Sequence, residues 1–420
     1  MSVQHGAGLG AAAREAVGSA ADGRDGDGAH DDGVPVGVVA RPTDDAQVAE
    51  VLRAAHAHGL SVVPRGRGTK LCWGRPPTSA DVLIDLSALD RVLDHAAGDL
   101  IVSTQAGARL ADVQEVVAQG GQRLCLDETV PGASIGGTLA ANTSGPRRVA
   151  VGSARDLLIG VHLVRADGVP AKAGGRVVKN VAGYDLGKLL IGSAGTLGVI
   201  TEATFRLHPL PVASRWVSVP VDDAAEAGRV TQSVLHSQAV PAALEVDWPL
   251  AGPGSVSVLL EGREEGVSGR ADTVRRLLGE AATESPDAPA GGATYPWDVA
   301  ATGDDRATAI KLTFVLSGLG AVLGAARDGG AAVRGSAGVG VAYAAVPAGT
   351  PVEEVAAALD RLRQACGRHG GSAVVLDAPA AVKEALDVWG PVPALDLMRR
   401  VKDQFDPDHR LAPGRFVGGI

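Results

Sequence analysis

Two hydrophobic periodicities alternate along the chain from about residue 34 onward. Apolar residues at the spacing i, i+3, i+4, i+7 predict a helix that is capped by Thr43 and ended by Gly59. Short apolar runs between glycines and prolines predict strands at Ser61–Val63, Val82–Leu86 and Leu100–Gln105, and a helix is predicted near Leu110–Ala118. A hairpin turning at Asp167-Gly168 follows, and then a short helix, a glycine turn and a strand. The first half therefore mixes helices and strands.

The pattern resets beyond about residue 213, after a proline-rich boundary. Strands are predicted near residues 215–220, 242–248, 254–261, 309–315, 338–346 and 373–378, and helices near 223–237, 268–279 and 352–367. This order, without a repeat, predicts an α+β second domain. Residues 1–33 are rich in Gly, Ala and Asp and predict a disordered tail, although the segment AAAREAVGSAA can form a short helix. We therefore divide the chain into 1–33, 34–212 and 213–420.

Composition argues against several classes of function. The 420 residues carry a formal net charge of −9, which argues against a nucleic-acid partner. Three scattered cysteines, Cys72, Cys125 and Cys366, give neither a disulfide framework nor the spacing of a zinc or iron–sulfur site. No apolar run is long enough for a spanning helix, so the expected location is the cytoplasm, with membrane contact only through partners.

The segment PGASIGGTLAAN contains Gly132-Ala133-Ser134-Ile135-Gly136, which matches the pattern around a hydrolase's nucleophilic serine. A nucleophile elbow needs a buried strand before the serine and a helix after it. Here LDETVP precedes the motif and Gly136-Gly137, which are poor helix formers, follow Ser134. The alternative is a backbone cradle for a phosphate, in which Gly136→Val would push a side chain into the diphosphate path.

Two further glycine clusters favour the cradle: PRGRGTK, after a predicted strand, and GSAGTLGVIT, leading into one. Glycines let successive backbone amides point into one concavity, which binds an oxyanion, although tight turns also need glycine. Neither cluster is a Walker loop or a dinucleotide fingerprint. Three such loops suit a diphosphate that carries a nucleotide.

The order of these clusters, followed by GGRVVKNVAGYDLGKLLIGSAGTLGVITEATFRLHP, resembles the FAD-binding domain of the PCMH or vanillyl-alcohol-oxidase type. Within that group the chain is most similar to the glycolate oxidase FAD-binding subunit, the E component. The segment VKDQFDPDHRLAPGRF resembles the C-terminal signature of FAD-linked oxidases. The resemblance implies an FAD-binding domain of two α/β subdomains over 34–212. It also implies a cap over 213–420 with an antiparallel sheet, whose residues 393–420 return to the FAD domain.

The resemblance also implies the cofactor contacts. FAD would be non-covalent, because the first loop has no histidine to tether it. The implied cofactor-binding residues are Arg65, Gly66, Arg67, Gly68, Thr69, Pro131, Gly132, Ala133, Ser134, Ile135, Gly136, Gly137, Asn142, Tyr184, Gly198, Val199 and Ile200, with Lys179, Asn180 and Asp185 also near the flavin.

Catalytic residues are not implied. Relatives that oxidise 2-hydroxy acids carry an H-x-G-D-G-N type motif that holds a metal and a base, whereas this chain has only GRHGGSAVV around His369. We expect no metal, and we expect His162, His208 and His369 to be structural. The group that takes the substrate proton is not identified by the sequence.

The expected function is that of an FAD-binding subunit of a glycolate oxidase or dehydrogenase complex, which oxidises glycolate to glyoxylate or passes its electrons on. The expected partners are a catalytic flavoprotein subunit and an iron–sulfur subunit. Three alternatives stay open: a stand-alone flavoenzyme acting on another 2-hydroxy acid or an alcohol, a non-catalytic FAD-binding scaffold or electron-transfer subunit, and an NADPH-dependent reductase of cell-wall precursor synthesis.

Overall fold

The computed structural model describes residues 11–21, 24–25, 30–177 and 185–420. In the first half the strands are β1 Arg24–Asp25, β2 His30–Asp31, β3 Val34–Ala40, β4 Val62–Arg65, β5 Ala80–Asp85, β6 Val92–Ala96, β7 Ile101–Gln105, β8 Gln122–Arg123, β9 Leu158–Val164, β10 Pro170–Gly174, β11 Val199–Arg206 and β12 His208–Pro209. The helices there are α1 Ala11–Ala21, α2 Asp45–His58, α3 Leu110–Ala118, α4 Ile135–Ala141, α5 Arg148–Val151, α6 Ala154–Leu157 and α7 Gly187–Leu190.

The first half, which we call the FAD-domain half, is built on two sheets. In the first sheet β5 lies between β3 and β4 and pairs with both in parallel, because α2 carries the chain back across the sheet between β3 and β4. The second sheet is antiparallel in the order β10-β9-β11-β7-β6. Each sheet buries its own aliphatic core, and the loops that leave β4 and enter β11 lie between them.

The second half, the cap, holds an eight-stranded antiparallel sheet in the order β16-β13-β15-β14-β18-β19-β17-β20. Its strands are β13 Ala213–Val221, β14 Ala243–Trp248, β15 Gly254–Gly262, β16 Thr283–Ser285, β17 Thr308–Thr313, β18 Ala332–Ser336, β19 Val341–Val346 and β20 Ser372–Asp377. Its helices are α8 Ala224–Leu235, α9 Glu264–Leu278, α10 Leu319–Asp328, α11 Val352–Arg368, α12 Ala380–Ala385 and α13 Leu395–Phe405.

Strand β17 shows how the cap sheet is used. Ile310 and Leu312 join the core that the sheet forms with α8 to α11. Successive side chains of a strand point to opposite faces, so Lys311 and Thr313 lie on the other face, toward the FAD-domain half. The fold is therefore α+β, with one apolar face of the cap sheet and one face left for contacts with the first half.

The N-terminal region differs from the predicted disordered tail. Helix α1 packs against α2 and buries Val17 completely. Asp31 pairs with Arg415, and Asp32 pairs with Lys383 at 2.7 Å and with Arg306 at 3.1 Å. The prediction of disorder over 1–33 is wrong for these described residues, because their acidic side chains find buried cations that lie hundreds of residues away in sequence.

The structure also corrects the predicted cap of α2. Asp44, not Thr43, caps α2, since its side chain accepts the Gln47 amide at 2.8 Å, whereas the Thr43 amide donates to the Gln47 side chain. The sequence interpretation missed α10 and β18. No helix in the described part of the chain is both long and apolar enough to cross a bilayer.

Candidate functional site

A cavity of about 380 Å³ lies between the FAD-domain half and the cap, within the size range of small-molecule sites. One side, which we call the loop wall, consists of cavity-lining residues between 64 and 200, chiefly from the loops after β4 and before β11 and from α4. The opposite side, the sheet wall, consists of Lys311, Thr313, Ser372, Val374 and Leu376 from β17 and β20.

The loop wall presents backbone donors to the cavity. Within the described residues, the amides of Gly68, Thr69 and Gly195 have no hydrogen-bond acceptor. Gly68 has φ +75°, and Ala194 and Gly195 have φ +52° and +79°, so the chain turns sharply at both places. A Cβ on Gly195 would lie 2.6 Å from Pro64 Cγ, which explains why glycine is needed where the two loops meet. Unpaired amides on adjoining turns form a concavity that binds anions.

Ser134 is a helix cap rather than a nucleophile. Its buried Oγ accepts hydrogen bonds from the amides of Gly137 at 3.3 Å and Arg67 at 3.4 Å. The helix α4 begins directly after it, despite the two glycines, because this cap supplies an acceptor to the first turn. The backbone at Ser134 is ordinary extended chain with φ −83°, and no described histidine lines the cavity.

Only part of the second predicted cradle reaches the cavity. Ser134, Gly136 and Gly137 line it, whereas Pro131, Gly132, Ala133 and Ile135 do not. The amides of Ala133, Ile135 and Gly136 already donate to Val130, Ala108 and Ala106 carbonyls. A Cβ on Gly136 would lie 2.8 Å from Ala106 Cβ, so the expectation that Gly136→Val fills the diphosphate path is wrong: the side chain would push against Ala106.

The remaining predicted contacts are divided. Gly66, Arg67, Asn142, Gly198 and Ile200 line the cavity, as do the other predicted residues of the first loop, Arg65, Gly68 and Thr69. Val199 instead packs in the core between the first sheet and α2. Tyr184, Lys179 and Asn180 lie outside the described residues. Asn142 ends α4 with φ +50°, and its buried Oδ1 has no partner within the described part of the chain.

The arginines of the cavity are already paired. Arg65 Nη2 lies 2.7 Å from Asp85 Oδ2, and hydrogen bonds from Arg65 and Ser87 outweigh burial and hold the pKa of Asp85 below its ordinary value. Arg67 Nε donates to the Gly107 carbonyl at 3.2 Å, and Arg415 pairs with Asp31. These guanidinium groups position loops and leave little charge for a ligand.

Two lysines carry the unpaired charge. Within the described residues, neither Lys70 nor Lys311 lies within 4 Å of a carboxylate oxygen, and both line the cavity. Burial lowers the pKa of Lys70 to about 8 and the pKa of Lys311 to about 8. The sequence interpretation missed both as site residues. The available signal was the alternation of Lys311 and Thr313 with Ile310 and Leu312 in β17, which marks a polar face inside an otherwise buried sheet.

The histidines take no part in the described lining. His369 follows α11 as its C-cap and packs against Gly318, and His162 faces outward on β9, where it pairs with Glu202 at 3.0 Å. His162 and Glu202 form a group with Asp45 in which the possible ligand atoms lie within 4.8 Å of one another. None of these three residues lines the cavity. No described aspartate, glutamate, tyrosine or cysteine lines it either.

These features fit FAD. Unpaired amides at two turns suit a diphosphate, the basic lining suits its charge, and the orphaned Asn142 Oδ1 needs a donor that no described residue supplies.

Comparisons with known proteins agree with this assignment. The family described as FAD binding domain matches residues 36–174, and the family described as FAD linked oxidases, C-terminal domain, matches residues 383–416. The glycolate oxidase subunit GlcD of Bacillus subtilis (strain 168) is 31% identical over 218 residues, which cover 51% of this chain and 46% of GlcD. An uncharacterized FAD-linked oxidoreductase of Mycobacterium tuberculosis is 28% identical over 425 residues, which cover 90% of this chain and 90% of that protein.

A solved structure shares this fold. The structure of 4-ethylphenol oxidase from Gulosibacter chungangensis, in complex with isoeugenol, superposes with a TM-score of 0.71 at 14% identity and covers 96% of both chains. The aligned segment spans less than half the length of GlcD, so that protein's activity is not transferred with its fold. The two matching domains and the cradle establish together that this chain carries an FAD-binding domain and uses FAD as its cofactor, and the solved structure shows that it shares its fold with 4-ethylphenol oxidase.

Proposed function

We propose that this flavoprotein oxidises the hydroxyl group of a small 2-hydroxy acid, with glycolate as the first candidate, and that it acts as a subunit of a glycolate oxidase or dehydrogenase complex. The observation that carries the substrate class is the pair of cavity lysines, Lys70 and Lys311, which have no carboxylate partner among the described residues. An ammonium group without a carboxylate partner favours an anionic ligand where burial reduces its contact with water. The similarity to the glycolate oxidase subunit GlcD supports the same class.

The residues divide the work between the two walls. The amides of Gly68, Thr69 and Gly195 would bind the FAD diphosphate, and Asn142 would accept a hydrogen bond from the cofactor. When bound, FAD supplies a two-electron acceptor for the hydride removed from the substrate carbon. On the sheet wall, Val374 and Leu376 exclude water, and Thr313 and Ser372 offer hydroxyl donors to the substrate carboxylate, which the ammonium group of Lys70 attracts from the loop wall.

The subunit role rests on chemistry that this chain does not carry. Its three cysteines are free and are far apart in sequence, so an iron–sulfur centre would have to belong to another chain. We therefore propose a catalytic flavoprotein subunit and an iron–sulfur subunit as partners, in the cytoplasm, with contact to a membrane only through them. The similarity to GlcD, which is itself a subunit of glycolate oxidase, supports this proposal.

A second candidate is a self-sufficient flavoenzyme. The specific observation that favours it is the complete cavity: one chain supplies the cradle, a polar sheet wall and two unpaired lysines. A scaffold that needs FAD only to fold would have no use for charge on the sheet wall.

The test is anaerobic titration of the FAD-loaded chain, alone and co-purified with candidate subunits, while the flavin absorbance is followed. Glycolate, D-lactate, L-lactate and D-2-hydroxyglutarate are compared with ethylene glycol, which has the hydroxymethyl group of glycolate but no carboxylate. Bleaching by a hydroxy acid in the single chain supports the self-sufficient enzyme, and bleaching only in the complex supports the subunit. Bleaching by ethylene glycol or 4-ethylphenol but by no hydroxy acid, or bleaching by none of them, would refute the proposed substrate class.

A further inference from the structure

Oxidation of a hydroxy acid needs a base, and this requirement rests on the proposed function. The C–H and O–H bonds of the substrate break and a C=O bond forms. When bound, FAD would supply the oxidant that takes up the hydrogen of the C–H bond with both electrons. The O–H proton carries no electrons and leaves to a base, which a residue of this chain can supply.

The described lining of the cavity offers few groups for this proton. Its titratable members are Arg65, Arg67, Lys70, Lys311 and Arg415. Arginine does not lose its proton in proteins, so the three guanidinium groups are excluded. Only an amine of Lys70 or Lys311 can present a free lone pair to a substrate from the described residues.

The surroundings of the two lysines differ. Lys70 lies on the loop wall, where its Nζ donates to Thr69 Oγ1 at 3.2 Å and the nearby Glu128 carboxylate favours its charged form. It is suited to remain an ammonium that attracts phosphate or carboxylate oxygens. The side chain of Lys311 makes no hydrogen bond or ion pair within the described part of the chain, and it lies on the sheet wall.

The groups that face Lys311 all favour its neutral form. Burial is the largest cause that lowers its pKa, to about 8, and the positive charge of Arg148 on α5 adds to it. On β19, Tyr343 lies directly across from Lys311, and burial raises the pKa of that phenol, so it stays uncharged. On β20, the residue across from Lys311 is Val374, which is apolar.

We propose that Lys311 is the catalytic base of this flavoprotein, and that its ε-amine accepts the proton of the substrate hydroxyl from the sheet wall. Lys311 becomes an ammonium in this step and releases the proton to solvent after the product leaves. The role would replace the histidine of the H-x-G-D-G-N type motif, which this sequence lacks.

The first test measures the rate of flavin reduction under anaerobic single-turnover conditions for wild type, Lys311→Met and Lys311→Arg. A general base contributes about 10²–10⁴-fold, and we expect both variants to lose a factor in that range. Arg keeps the charge but cannot accept a proton, so its loss separates proton transfer from carboxylate binding. Lys172→Met, on the exposed edge strand β10, is the matched control and keeps the wild-type rate.

Two further readouts exclude a merely structural role. The wild-type rate rises with pH and levels off above about 8, and this inflection disappears in Lys311→Ala. Added ethylamine restores part of the rate of Lys311→Ala. It does not change the rate of Lys172→Met, which equals that of wild type. FAD retention and the thermal midpoint of the Lys311 variants stay close to those of wild type, because the cradle lies on the other wall.

A third test needs no turnover. The FAD-free protein is acylated with an amine-reactive ester at a series of pH values, and the labelling rates of Lys311 and Lys172 are followed by peptide mass spectrometry. We expect the rate at Lys311 to reach half of its plateau near pH 8, and the exposed Lys172 is the reference for a lysine outside the cavity. Equal titration of both lysines would overturn the proposal.

The failures of the two proposals are distinguishable. If a hydroxy acid bleaches the wild-type flavin and Lys311→Met does so at more than half the wild-type rate, the base assignment falls and the proposed function stands. If no hydroxy acid bleaches the wild-type flavin, the proposed function falls, and the role of Lys311 in that reaction falls with it.

Discussion

The two walls of the cavity are built on opposite principles. The loop wall offers main-chain amides at turns such as those at Gly68 and Gly195. The sheet wall offers side chains, above all Lys311 and Thr313, which stand on a regular strand. A diphosphate is common to every FAD, whereas the substrate differs between enzymes. In the function we propose, the backbone wall would bind the constant ligand and the side-chain wall the variable one.

The largest effect is expected where a buried ion pair fixes the loop wall. Lys402 is fully buried, and its Nζ donates to Thr196 O at 2.8 Å, Asp406 Oδ2 at 2.7 Å and Leu411 O at 3.0 Å. Lys402→Met leaves the Asp406 carboxylate buried without its cation, so the free energy of unfolding should fall by about 3–5 kcal/mol. Urea denaturation measures this fall. Lys172→Met is the control, and an equal effect of both variants would contradict the prediction.

The second effect concerns a buried acid on β14 of the cap sheet. Burial raises the pKa of Glu245 from 4.5 to about 8. The folded state therefore holds a proton that the unfolded state has released, and the stability from this group is complete below pH 4.5 and is lost as the pH rises toward 8. Relative to Glu245→Gln, the wild-type free energy of unfolding should fall by up to about 1.4 kcal/mol per pH unit in that window. Parallel curves for the two proteins from pH 5 to pH 8 would contradict this.

A third prediction asks whether the loop wall alone governs the cofactor. A Cβ on Gly66 would lie 2.1 Å from Ser134 Oγ, so Gly66→Ala displaces the hydroxyl that caps α4 and orients the Arg67 amide. The new methyl group must also push the loop at Gly66 away from α4, which removing the Ser134 hydroxyl does not do, so we expect FAD to bind roughly tenfold more weakly, a loss of about 1.4 kcal/mol. Fluorescence titration with FAD measures this. Gly98→Ala, with no atom within 4 Å of the new Cβ, should bind FAD as wild type does.

The smallest effect is expected for Ser134→Ala. The variant loses the acceptor for the Gly137 and Arg67 amides but adds no atom to the cavity, so the unfolding free energy should fall by about 1 kcal/mol while most FAD is retained. Ser233→Ala, which removes a hydroxyl bonded within α8, serves as the control for the loss of a hydroxyl group. An esterase activity that disappears in Ser134→Ala alone would restore the nucleophile hypothesis.

The same contrast explains what the sequence could predict. Glycine clusters after or before a strand are local signals, so a diphosphate cradle at the loops of Gly66 and Gly195 could be inferred from the residues that form them, whereas FAD itself was implied by the resemblance to a known family. The helix α3 was predicted at the bounds that it has, because its apolar spacing and the glycines that follow it are local as well.

The sheet wall depends on pairing over long distances in sequence. Lys311 faces the cavity because β17 pairs with β19 and β20, and no local pattern states which face of β17 meets another domain. The segment 1–33 was predicted wrongly for the same reason. In the sequence Asp31 is one acidic residue of a polar segment, and only the fold brings it against Arg415, 384 residues later, which neutralises its charge. The amides of Ile135 and Gly136 were assigned to the cofactor because the sequence does not show that Ala108 and Ala106 already accept them.

The position of Lys402 has a consequence for biosynthesis. The glycine turns lie between residues 66 and 198, whereas the cation that fastens Thr196, and the backbone at Arg410 and Ala412 that hydrogen-bonds to Val62, come at least 200 residues later. A ribosome that has translated the turns has not yet delivered the parts that hold them in place. We therefore expect the nascent chain to retain a coenzyme only after α13, which carries Lys402, has been synthesised.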